Sequence, residues 1–393
     1  MAYLNELGLL CALGNSPTEV AANLQRGESP GMRKRPGYLT GREVVVGEVL
    51  ATLPDLSDVR LPLRSRNNAL ALAALAQIRP AVDAAVARHG ASRVAVILGT
   101  STSGIAEGEA AMRHRVAQGD GFPADFDYGQ QELGSLAQFV AETLGVTGPA
   151  YVISTACSSS ARALMSAARL LRAGAVDAVL CGGVDTLCAF TVSGFAALES
   201  VSAEACNPLS ANRCGINIGE GAALFLMTRE PAAVKLSGWG ESSDAHHMSA
   251  PDPSGRGAET AIRDALSRAR LAPADIDYVN LHGTATRHND AMESAVVARI
   301  FGADLPVSST KPLTGHTLGA AGAVEAALAW LMLQADNAEG WLPPQRWDGQ
   351  YDPALPPLDV VGEGRKLGRA PRHVLSNSFA FGGSNAALIL GAC

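Results

Sequence analysis

The predicted strands and helices of this 393-residue chain occur twice in the same order, and this repeat restricts the folds it can adopt. In the first half, residues 92–104 form an apolar strand that leads into a small polar loop, and residues 151–171 form a strand, a turn and a helix. In the second half, residues 276–290 and 305–333 follow the same two patterns. Because strands that alternate with helices form parallel sheets covered by helices, each half is predicted to be an α/β unit.

Further elements extend each copy. Residues 175–185 and 220–230 are apolar strands of the first half, and residues 373–390 form a strand, a glycine loop and a second strand in the second half. Helices with apolar spacing precede the strands at 67–88 and 258–270. The sequence therefore predicts a fold in which two related α/β halves face each other.

We expect the division between the halves near residue 235, with residues 1–235 in the N-terminal half and 236–393 in the C-terminal half. A pseudo-twofold axis would relate the halves, so that the strand ends of both meet at one cleft. Ligands and catalytic groups in α/β folds gather at the carboxyl ends of the strands.

Composition excludes several classes of protein. The chain is 47% hydrophobic and 18% charged, which is ample apolar material for a large core. A net charge of −7 argues against general nucleic-acid binding. Seven cysteines without any CxxC pair indicate neither a metal site nor a disulfide framework. The start carries Glu6 and no basic segment, and the apolar run 69–78 is too short to span a bilayer, so we expect a cytoplasmic protein without a membrane span.

Cys157 occupies a distinctive place, because a strand ends just before it and an amphipathic helix starts just after it. At a helix N-terminus the free backbone N–H groups stabilise an anion, so we expect this thiol to have a lowered pKa and to act as a nucleophile. The alternative is a packed cysteine, the commonest fate of a free thiol. The remaining cysteines lack this setting and are interpreted as packing or surface residues: Cys11, Cys181, Cys188, Cys206, Cys214 and Cys393.

Two loop histidines of the second half are candidate partners of this thiol. His282 follows a predicted strand and opens the segment HGTAT, and His316 lies in STKPLTGHTLGAAG between a strand and a helix. A single loop histidine is more often structural or solvated. Two of them at strand ends, facing a cysteine of the first half, form a constellation suited to nucleophilic catalysis.

The motifs along the chain resemble those of the β-ketoacyl synthases, the condensing enzymes that act on acyl carrier proteins. The similar segments are TACSSSA (155–161), GGVD (182–185), NIGEGAA (217–223), HGTAT (282–286), STKPLTGHTLGAAG (309–322) and NSFAFGGSN (377–385). They occur in the family's order over nearly the whole chain. The resemblance implies a thiolase-like α/β fold with two pseudo-twofold-related halves in a layered αβαβα arrangement.

In this family the motif cysteine, here Cys157, accepts an acyl group from a carrier protein as a thioester. By the same resemblance, His282 and His316 hydrogen-bond the thioester carbonyl of malonyl-ACP and stabilise the enolate formed on decarboxylation. The enolate carbon then attacks the acyl group in a Claisen condensation. The resemblance implies no metal and no cofactor of the enzyme, since phosphopantetheine is carried by the acyl carrier protein. It also implies that the histidines serve decarboxylation more than acyl loading.

Other site residues follow from the resemblance alone. Lys311 matches the family's lysine in the histidine loop, and we expect Glu325 to be its buried partner. Thr284 and Thr286 match residues that hydrogen-bond the pantetheine arm. Phe381 matches the gating phenylalanine of the acyl pocket, and its backbone N–H would form the oxyanion hole together with that of the cysteine.

Some segments depart from the commonest family pattern. The segment before GEG contains Asn212 and Cys214 where aspartates are frequent, and the residues after the nucleophile read SSSA. None of these differences touches the catalytic set. They favour a specialised pathway, such as polyketide or aryl-polyene assembly, over housekeeping fatty-acid synthesis.

Two alternative functions belong to the same fold. One is a non-catalytic chain-length-factor-like subunit, which typically lacks the nucleophile, and the other is a thiolase or transacylase that does not decarboxylate. The intact cysteine and histidines favour the elongating enzyme. Homodimer and heterodimer with a chain-length-factor-like homologue both remain open, as does the acyl chain length.

The acidic carrier protein would need a local basic patch on this acidic chain. Arg60, Arg64 and Arg66, just before an apolar helix, are the candidate docking residues. The alternative is a solvated basic face without a partner.

Overall fold

The computed structural model describes residues 1–119 and 121–393. Its strands are β1 (Tyr3–Cys11), β2 (Met32–Leu39), β3 (Arg42–Gly47), β4 (Val94–Gly99), β5 (Ala150–Ile153), β6 (Ala178–Asp185), β7 (Gly221–Thr228), β8 (Val234–Ser243), β9 (Tyr278–Asn280), β10 (Pro306–Ser308), β11 (Asp359–Val360), β12 (His373–Ala380) and β13 (Ser384–Ala392). Its α-helices are α1 (Pro17–Arg26), α2 (Arg66–His89), α3 (Ile105–Gln118), α4 (Ser135–Leu144), α5 (Ser159–Arg172), α6 (Ala189–Ala197), α7 (Arg256–Ala269), α8 (Arg287–Phe301), α9 (Lys311–Thr314) and α10 (Ala321–Met332).

Eleven strands form one sheet in the order β11-β10-β9-β12-β13-β8-β1-β7-β6-β4-β5, and β2 and β3 form a separate hairpin. The strands of the two halves meet at β1 and β8, whose pairing is the single pair Tyr3–Lys235. Within the first half, β4, β5 and β6 are parallel and β7 and β1 are antiparallel to their neighbours. In the second half, β9, β10 and β12 are parallel and β13 and β8 are antiparallel to their neighbours.

The two halves therefore have the same strand order and directions, which confirms the predicted repeat. The expectation of parallel sheets is confirmed for three strands of each half, but it was wrong for β1, β7, β8 and β13, so that each half has a mixed sheet. The reason is visible at β12 and β13, where the connection Phe381–Gly383 is too short for the crossover that parallel strands need and forms a hairpin instead.

The helices form layers on both sides of the strands. Helices α2 and α4 pack on the outside of the first half, and α7 packs on β8 and β13 of the second half. Helices α5 and α10 lie between the halves and contact strands of both. Apart from Glu325, helix α10 is apolar around its whole circumference, as expected for a helix that is buried on nearly all sides.

The close approach of α5 to α10 depends on small residues. A Cβ atom at Gly322 of α10 would lie 2.8 Å from the Cβ atom of Ala161 on α5, so a larger residue at either position would push the halves apart. This arrangement is the layered thiolase-like fold that the motifs implied, and it brings the start of α5 to the interface between the halves.

Among the described residues, α2 is long and apolar enough to cross a membrane. In this structure it packs against β1, β7, β6 and α4 as a core helix of the first half. Its apolar residues are thus accounted for by the fold, because Leu70, Ala74, Leu75, Ile78 and Val82 are all buried in one apolar cluster.

Candidate active site

The cysteine singled out in the sequence lies on a tight turn between β5 and α5. Ala156, which precedes it, has the left-handed φ of 51°, a conformation that costs an alanine about 1–2 kcal/mol. Two hydrogen bonds hold the turn, because Ser159 Oγ donates to the Ala156 carbonyl at 2.6 Å and accepts from the Thr155 N–H at 2.8 Å. The turn places Cys157 two residues before the first residue of α5, at the helix N-terminus.

His282 follows β9, and its loop is fixed by a buried carboxylate. Glu293 of α8 accepts the backbone N–H of His282 at 2.8 Å and that of Gly283 at 2.7 Å. The side-chain amide of Asn377 on β12 donates to the same carboxylate at 3.1 Å. Burial raises the pKa of Glu293 to about 7, although these donors oppose the shift.

His316 belongs to the second half but is held by the first. Its backbone N–H donates to the Asn217 carbonyl at 2.6 Å, and its carbonyl accepts from the Gly219 N–H at 2.9 Å. Three residues further on, the Gly319 N–H donates to buried Asp185 of β6 at 2.5 Å. The histidine loop is therefore positioned by backbone hydrogen bonds across the interface between the halves.

The structure brings the cysteine and both histidines together in a buried cluster. His316 Nε2 lies 3.0 Å from Cys157 Sγ, and ligating atoms of all three side chains lie within 4.8 Å of one another. The two imidazole rings are 5.3 Å apart and nearly perpendicular. The side chains come from both halves, as the sequence predicted for a cleft between them.

The expected lowering of the pKa of Cys157 was wrong. Burial raises the pKa of this thiol to about 11, and this effect outweighs the nearby Lys311 ammonium and hydrogen bonds from the backbone N–H groups of Phe381 and Cys157 itself. The helix N-terminus cannot offset the loss of hydration at a site that is 4% exposed. In the substrate-free structure the group is thus a thiol at neutral pH, and it needs a base to become a nucleophile.

The histidines are neutral bases in this environment. Burial lowers the pKa of His282 and of His316 well below 6.5, and the positive charge of Lys311 lowers both further. The Nδ1 atoms of both rings have no hydrogen-bond partner among the described residues, whereas His316 Nε2 faces the Cys157 thiol, which can donate to it.

Lys311 forms a buried ion pair with the residue expected as its partner. Its Nζ atom lies 2.5 Å from Glu325 Oε1, and both side chains are 2% exposed. Burial raises the pKa of Glu325, and the Lys311 ammonium opposes that rise. This ammonium is a fixed positive charge that acts on all three members of the cluster.

A narrow pocket of about 70 Å³ leads to the cluster. Thr284 and Thr286 line it, and their hydroxyl groups lie 2.9 Å apart. Phe381 also lines it, and its ring lies 5.3 Å from the ring of Phe195 on α6. Three residues expected at the substrate channel therefore share one pocket with the cysteine and the histidines.

Sequence reasoning missed several residues that hold this site. Glu293 could have been suspected as a carboxylate on the helix after HGTAT, and Asp185 lies in the quoted segment GGVD, but no role was assigned to either. Phe195 carried no signal beyond its apolar character, because its position opposite Phe381 depends on the packing of α6.

The cluster is also the one group of three such side chains, within the described residues, that could hold a metal ion. One thiol and two imidazoles match the ligand set of zinc. Metal-binding histidines, however, almost always donate their second ring N–H to a carboxylate or carbonyl, and these two have no such partner. The adjacent Lys311 ammonium further disfavours a cation, so the donor set suits acyl transfer better.

The three candidate docking arginines do not line this pocket, and each is already engaged. Arg60 pairs with Glu142 at 2.7 Å, and Arg64 donates from Nε to the Val59 carbonyl. Arg66 pairs at 2.5 Å with Glu220, whose side chain is 2% exposed. Arg66 therefore neutralises a buried carboxylate, whereas Arg60 pairs with a partner that is half exposed.

Comparison with known proteins agrees with this geometry. Residues 66–233 match the β-ketoacyl synthase N-terminal domain, and residues 233–346 match the β-ketoacyl synthase C-terminal domain. The chain is 31% identical to nodulation protein E of Rhizobium sp. (strain N33), and 31% identical to 3-oxoacyl-[acyl-carrier-protein] synthase 1 of Haemophilus influenzae; each alignment covers 97% of this chain and 96% of the relative.

Solved structures show the same fold. A chain from the complex of the ketosynthase ApeO with its chain length factor ApeC, from Xenorhabdus doucetiae, is 49% identical with a TM-score of 0.95, over 100% of this chain and 98% of that one. A β-ketoacyl synthase from Burkholderia phymatum is 27% identical with a TM-score of 0.86, over 100% and 99%.

The site and fold define a condensing enzyme of the acyltransferase class. The chain belongs to the β-ketoacyl synthase family. Its activity is the decarboxylative condensation of an enzyme-bound acyl group with malonyl-ACP.

Proposed function

We propose that Cys157 is the acyl acceptor and that His282 and His316 drive decarboxylation of the malonyl unit. The observation that carries this assignment is the buried cluster in which His316 Nε2 lies 3.0 Å from Cys157 Sγ and His282 completes the set. We also propose that the division between the catalytic halves lies near residue 235, because β8 begins at Val234 and pairs along its length with β13.

Acyl loading needs a thiolate, and the neutral His316 is placed to produce it. The thiol gives its proton to His316 Nε2 as the sulfur attacks the acyl thioester, and the proton then passes to the departing pantetheine sulfur. The backbone N–H groups of Cys157 and Phe381, which both approach the sulfur, are placed to stabilise the oxyanion. This step assigns His316 a part in loading that the sequence did not suggest.

Decarboxylation uses the same imidazoles as donors. With Nε2 protonated, His282 and His316 hydrogen-bond the thioester oxygen of malonyl-ACP, where negative charge develops as carbon dioxide leaves. The enolate carbon then attacks the acyl carbonyl, a carbon–carbon bond forms, and the Cys157 thiolate departs.

Intact mass and peptide mapping after incubation with acyl-ACP test the nucleophile. The acyl group should be found on Cys157 alone, and Cys157→Ala should abolish both loading and condensation. Cys181→Ala is the matched control, because this thiol is equally buried but lies on β6 away from the pocket. A label on Cys181 or Cys214 would refute the assignment.

Two alanine variants distinguish the roles of the two histidines. His282→Ala should still form acyl-Cys157 while losing carbon dioxide release from malonyl-ACP. His316→Ala should lose decarboxylation and should also load more slowly, because the thiol loses its base. Slow loading with normal decarboxylation in either variant would contradict the proposed roles.

The carrier protein is the proposed source of both substrates. We propose that its phosphopantetheine arm enters past Thr284 and Thr286, whose hydroxyl groups line the pocket. For docking we retain Arg60, Arg64 and Arg66, with the first two as the testable pair. Arg66→Glu would place a second negative charge beside buried Glu220, so its effect on folding would obscure any effect on docking.

Arg60→Gln with Arg64→Gln should raise the KM for acyl-ACP, with an effect that fades at high salt. Turnover of a small pantetheine thioester, which needs no carrier surface, should be unchanged. If both substrates lose activity equally in this double variant, the arginines support the fold and the docking assignment is wrong.

The open edge of β5 favours a dimer. β5 ends the sheet and pairs only with β4, so its other edge is free within the described residues. The similarity to a chain of a ketosynthase–chain length factor complex supports a heterodimer with a homologous subunit. We further propose a specialised polyketide or polyene pathway in the cytoplasm, because the segments around Asn212 and after Cys157 depart from the commonest family pattern.

Expression of the chain alone, followed by native mass spectrometry, tests the heterodimer. A monomer or an inactive dimer that becomes active when a chain-length-factor-like subunit is added would support it. A fully active homodimer would instead support the housekeeping type of synthase, in which two copies share the interface.

A further inference from the structure

A groove with a volume of about 560 Å³ lies at the opposite ends of the strands from the active site. It lies between the start of β8, the C-terminal ends of α5 and α7, and His373 at the start of β12. β12 runs from His373 to Ala380, beside Phe381, so the groove lies about 24 Å from the acyl pocket at about 3.4 Å per residue. The groove is thus separate from the catalytic pocket and has the size of a small-molecule site.

Four cationic side chains line this groove. They are Arg172 of α5, Lys235 of β8, and Arg268 and Arg270 at the end of α7. In residues 1–119 and 121–393, none of the four side chains makes a hydrogen bond or an ion pair. By contrast, most arginines of this acidic chain form ion pairs. Neighbouring Arg169, for example, pairs with Glu241.

Two carboxylates near the groove already have partners. Asp277 pairs with Arg369 and accepts the backbone N–H groups of Arg372 and His373. Asp275 accepts a backbone N–H from Ala272. Asp264 lies one turn before Arg268 on α7 but forms no ion pair with it within the described residues, so none of these three carboxylates neutralises the cations of the groove.

The floor of the groove holds polar atoms without partners. Trp239 is 3% exposed, and its indole N–H has no acceptor among the described residues. Ser237 Oγ and His373 Nδ1 are also unpartnered, and they face the same space above Gly391, where a Cβ atom would lie 2.5 Å from the first and 3.0 Å from the second.

Stacking positions two of the cations on this floor. The guanidinium carbons of Arg172 and Arg268 lie 5.3 Å and 5.5 Å from the ring centroid of Trp239. Such cation–π contacts hold a guanidinium while leaving its N–H groups free to bind an acceptor. The location at helix C-termini favours arginines electrostatically, but it does not use up these donors.

We propose that this groove binds a phosphate-bearing small molecule, either an inorganic polyphosphate or a nucleotide. Guanidinium groups match phosphate oxygens in a bidentate way, and the unpaired cations and indole N–H can only donate, so the ligand must be rich in acceptors. The concave shape and the deep polar floor fit a small ligand better than the convex surface of an acidic protein.

Titration calorimetry at constant ionic strength tests the proposal with two probes, inorganic pyrophosphate and adenosine 3′,5′-bisphosphate. Tighter binding of the second probe would identify a nucleotide site, and equal or weaker binding would identify a polyphosphate site. Arg268→Gln with Arg270→Gln should weaken binding at least about tenfold, or about 1.4 kcal/mol, because the ligand loses two charge-assisted partners. Condensation activity should be unchanged, which also shows that the variant folds.

The matched control is Arg33→Gln with Arg42→Gln, which removes two charges on the β2–β3 hairpin, outside the groove. Its affinity for both probes should equal that of the wild type. Arg172→Gln removes a cation from a different helix and should weaken binding independently if the first variant is unstable.

Three results would overturn the proposal. The first is no binding of either probe at millimolar concentration. The second is equal affinity in the wild type and the groove variants, or an equal loss in the control, which would indicate general charge attraction. The third is binding of an acidic carrier protein that is lost in Arg268→Gln with Arg270→Gln while neither phosphate probe binds. None of these results bears on the roles of Cys157, His282 and His316.

Discussion

Replacing Lys311 with Met tests whether the buried ion pair both stabilises the fold and tunes the catalytic cluster. Lys311 and Glu325 lie 2.5 Å apart with 2% exposure each. Removing one partner leaves the other charge buried without compensation, which costs about 3–5 kcal/mol. The second oxygen of Glu325 already has no partner among the described residues, so no local donor can replace the lost ammonium.

The same substitution should change the pH dependence of decarboxylation. The Lys311 charge lowers the pKa of both His282 and His316, so its removal should raise both values toward 6.5. A rise in these pKa values means that the imidazoles become protonated at a higher pH as acid is added. The acidic limb of the decarboxylation rate should therefore move to higher pH in Lys311→Met.

The assay combines denaturant unfolding with carbon dioxide release from malonyl-ACP across the pH range. The matched controls are Glu325→Leu and the double variant Lys311→Met with Glu325→Leu. Each single variant should be destabilised by several kcal/mol, and the double variant should regain most of that loss because no charge remains buried. The acidic limb of the decarboxylation rate should stay shifted to higher pH in the double variant, since Lys311 is still absent.

Two results would refute this reasoning. One is a Lys311→Met protein within about 1 kcal/mol of the wild type, which would mean that water or a local rearrangement neutralises Glu325. The other is a double variant no more stable than the singles, which would mean that the two residues act independently.

Three further predictions concern single residues. Iodoacetamide should alkylate Cys157 at a rate that rises steadily from neutral pH to about pH 10, because burial raises its pKa to about 11; a plateau below pH 8 would contradict this. Burial raises the pKa of Glu293 from 4.5 to about 7, so the free energy of unfolding of the wild type should fall as pH rises through that window. The free energy of unfolding of Glu293→Gln, relative to the wild type, should therefore be higher at pH 8 than at pH 5. An opposite trend would exclude the buried carboxyl as the cause. Phe195→Ala should widen the pocket beside Phe381 and admit longer acyl chains, measured as the mass of the acyl-enzyme. The control is Phe190→Ala, which changes an exposed residue of the same helix and should leave the accepted chain length unchanged. Equal effects of the two substitutions would show that the Phe195 ring does not limit the pocket.

Much of the architecture could be predicted from local patterns. The repeat, most strands and the helices α2, α5, α7 and α10 depend on apolar periodicity, which is a property of neighbouring residues. The strand–turn–helix setting of Cys157 and the loop positions of His282 and His316 are local as well. The sequence alone therefore determined the class of fold and which side chains should meet at the cleft.

The directions of the strands were established by the tertiary structure. β7 reads as an ordinary apolar strand, and nothing local showed that it runs antiparallel to β6. For β13 the short glycine loop after β12 was a local signal of a hairpin, which the expectation of parallel sheets did not take into account. Strand direction depends on the route of the connecting chain, which for β12 and β13 is a hairpin closed by Gly382 and Gly383 in left-handed conformations.

The charge state of the site was also decided by tertiary structure. A helix N-terminus suggests a lowered pKa for Cys157, but burial between the two halves reverses the sign. Likewise, Arg66 reads as a surface cation until Glu220, distant in sequence, is found buried beside it. Desolvation and ion pairing depend on residues brought together from both halves, and these long-range contacts have no signature in the local sequence.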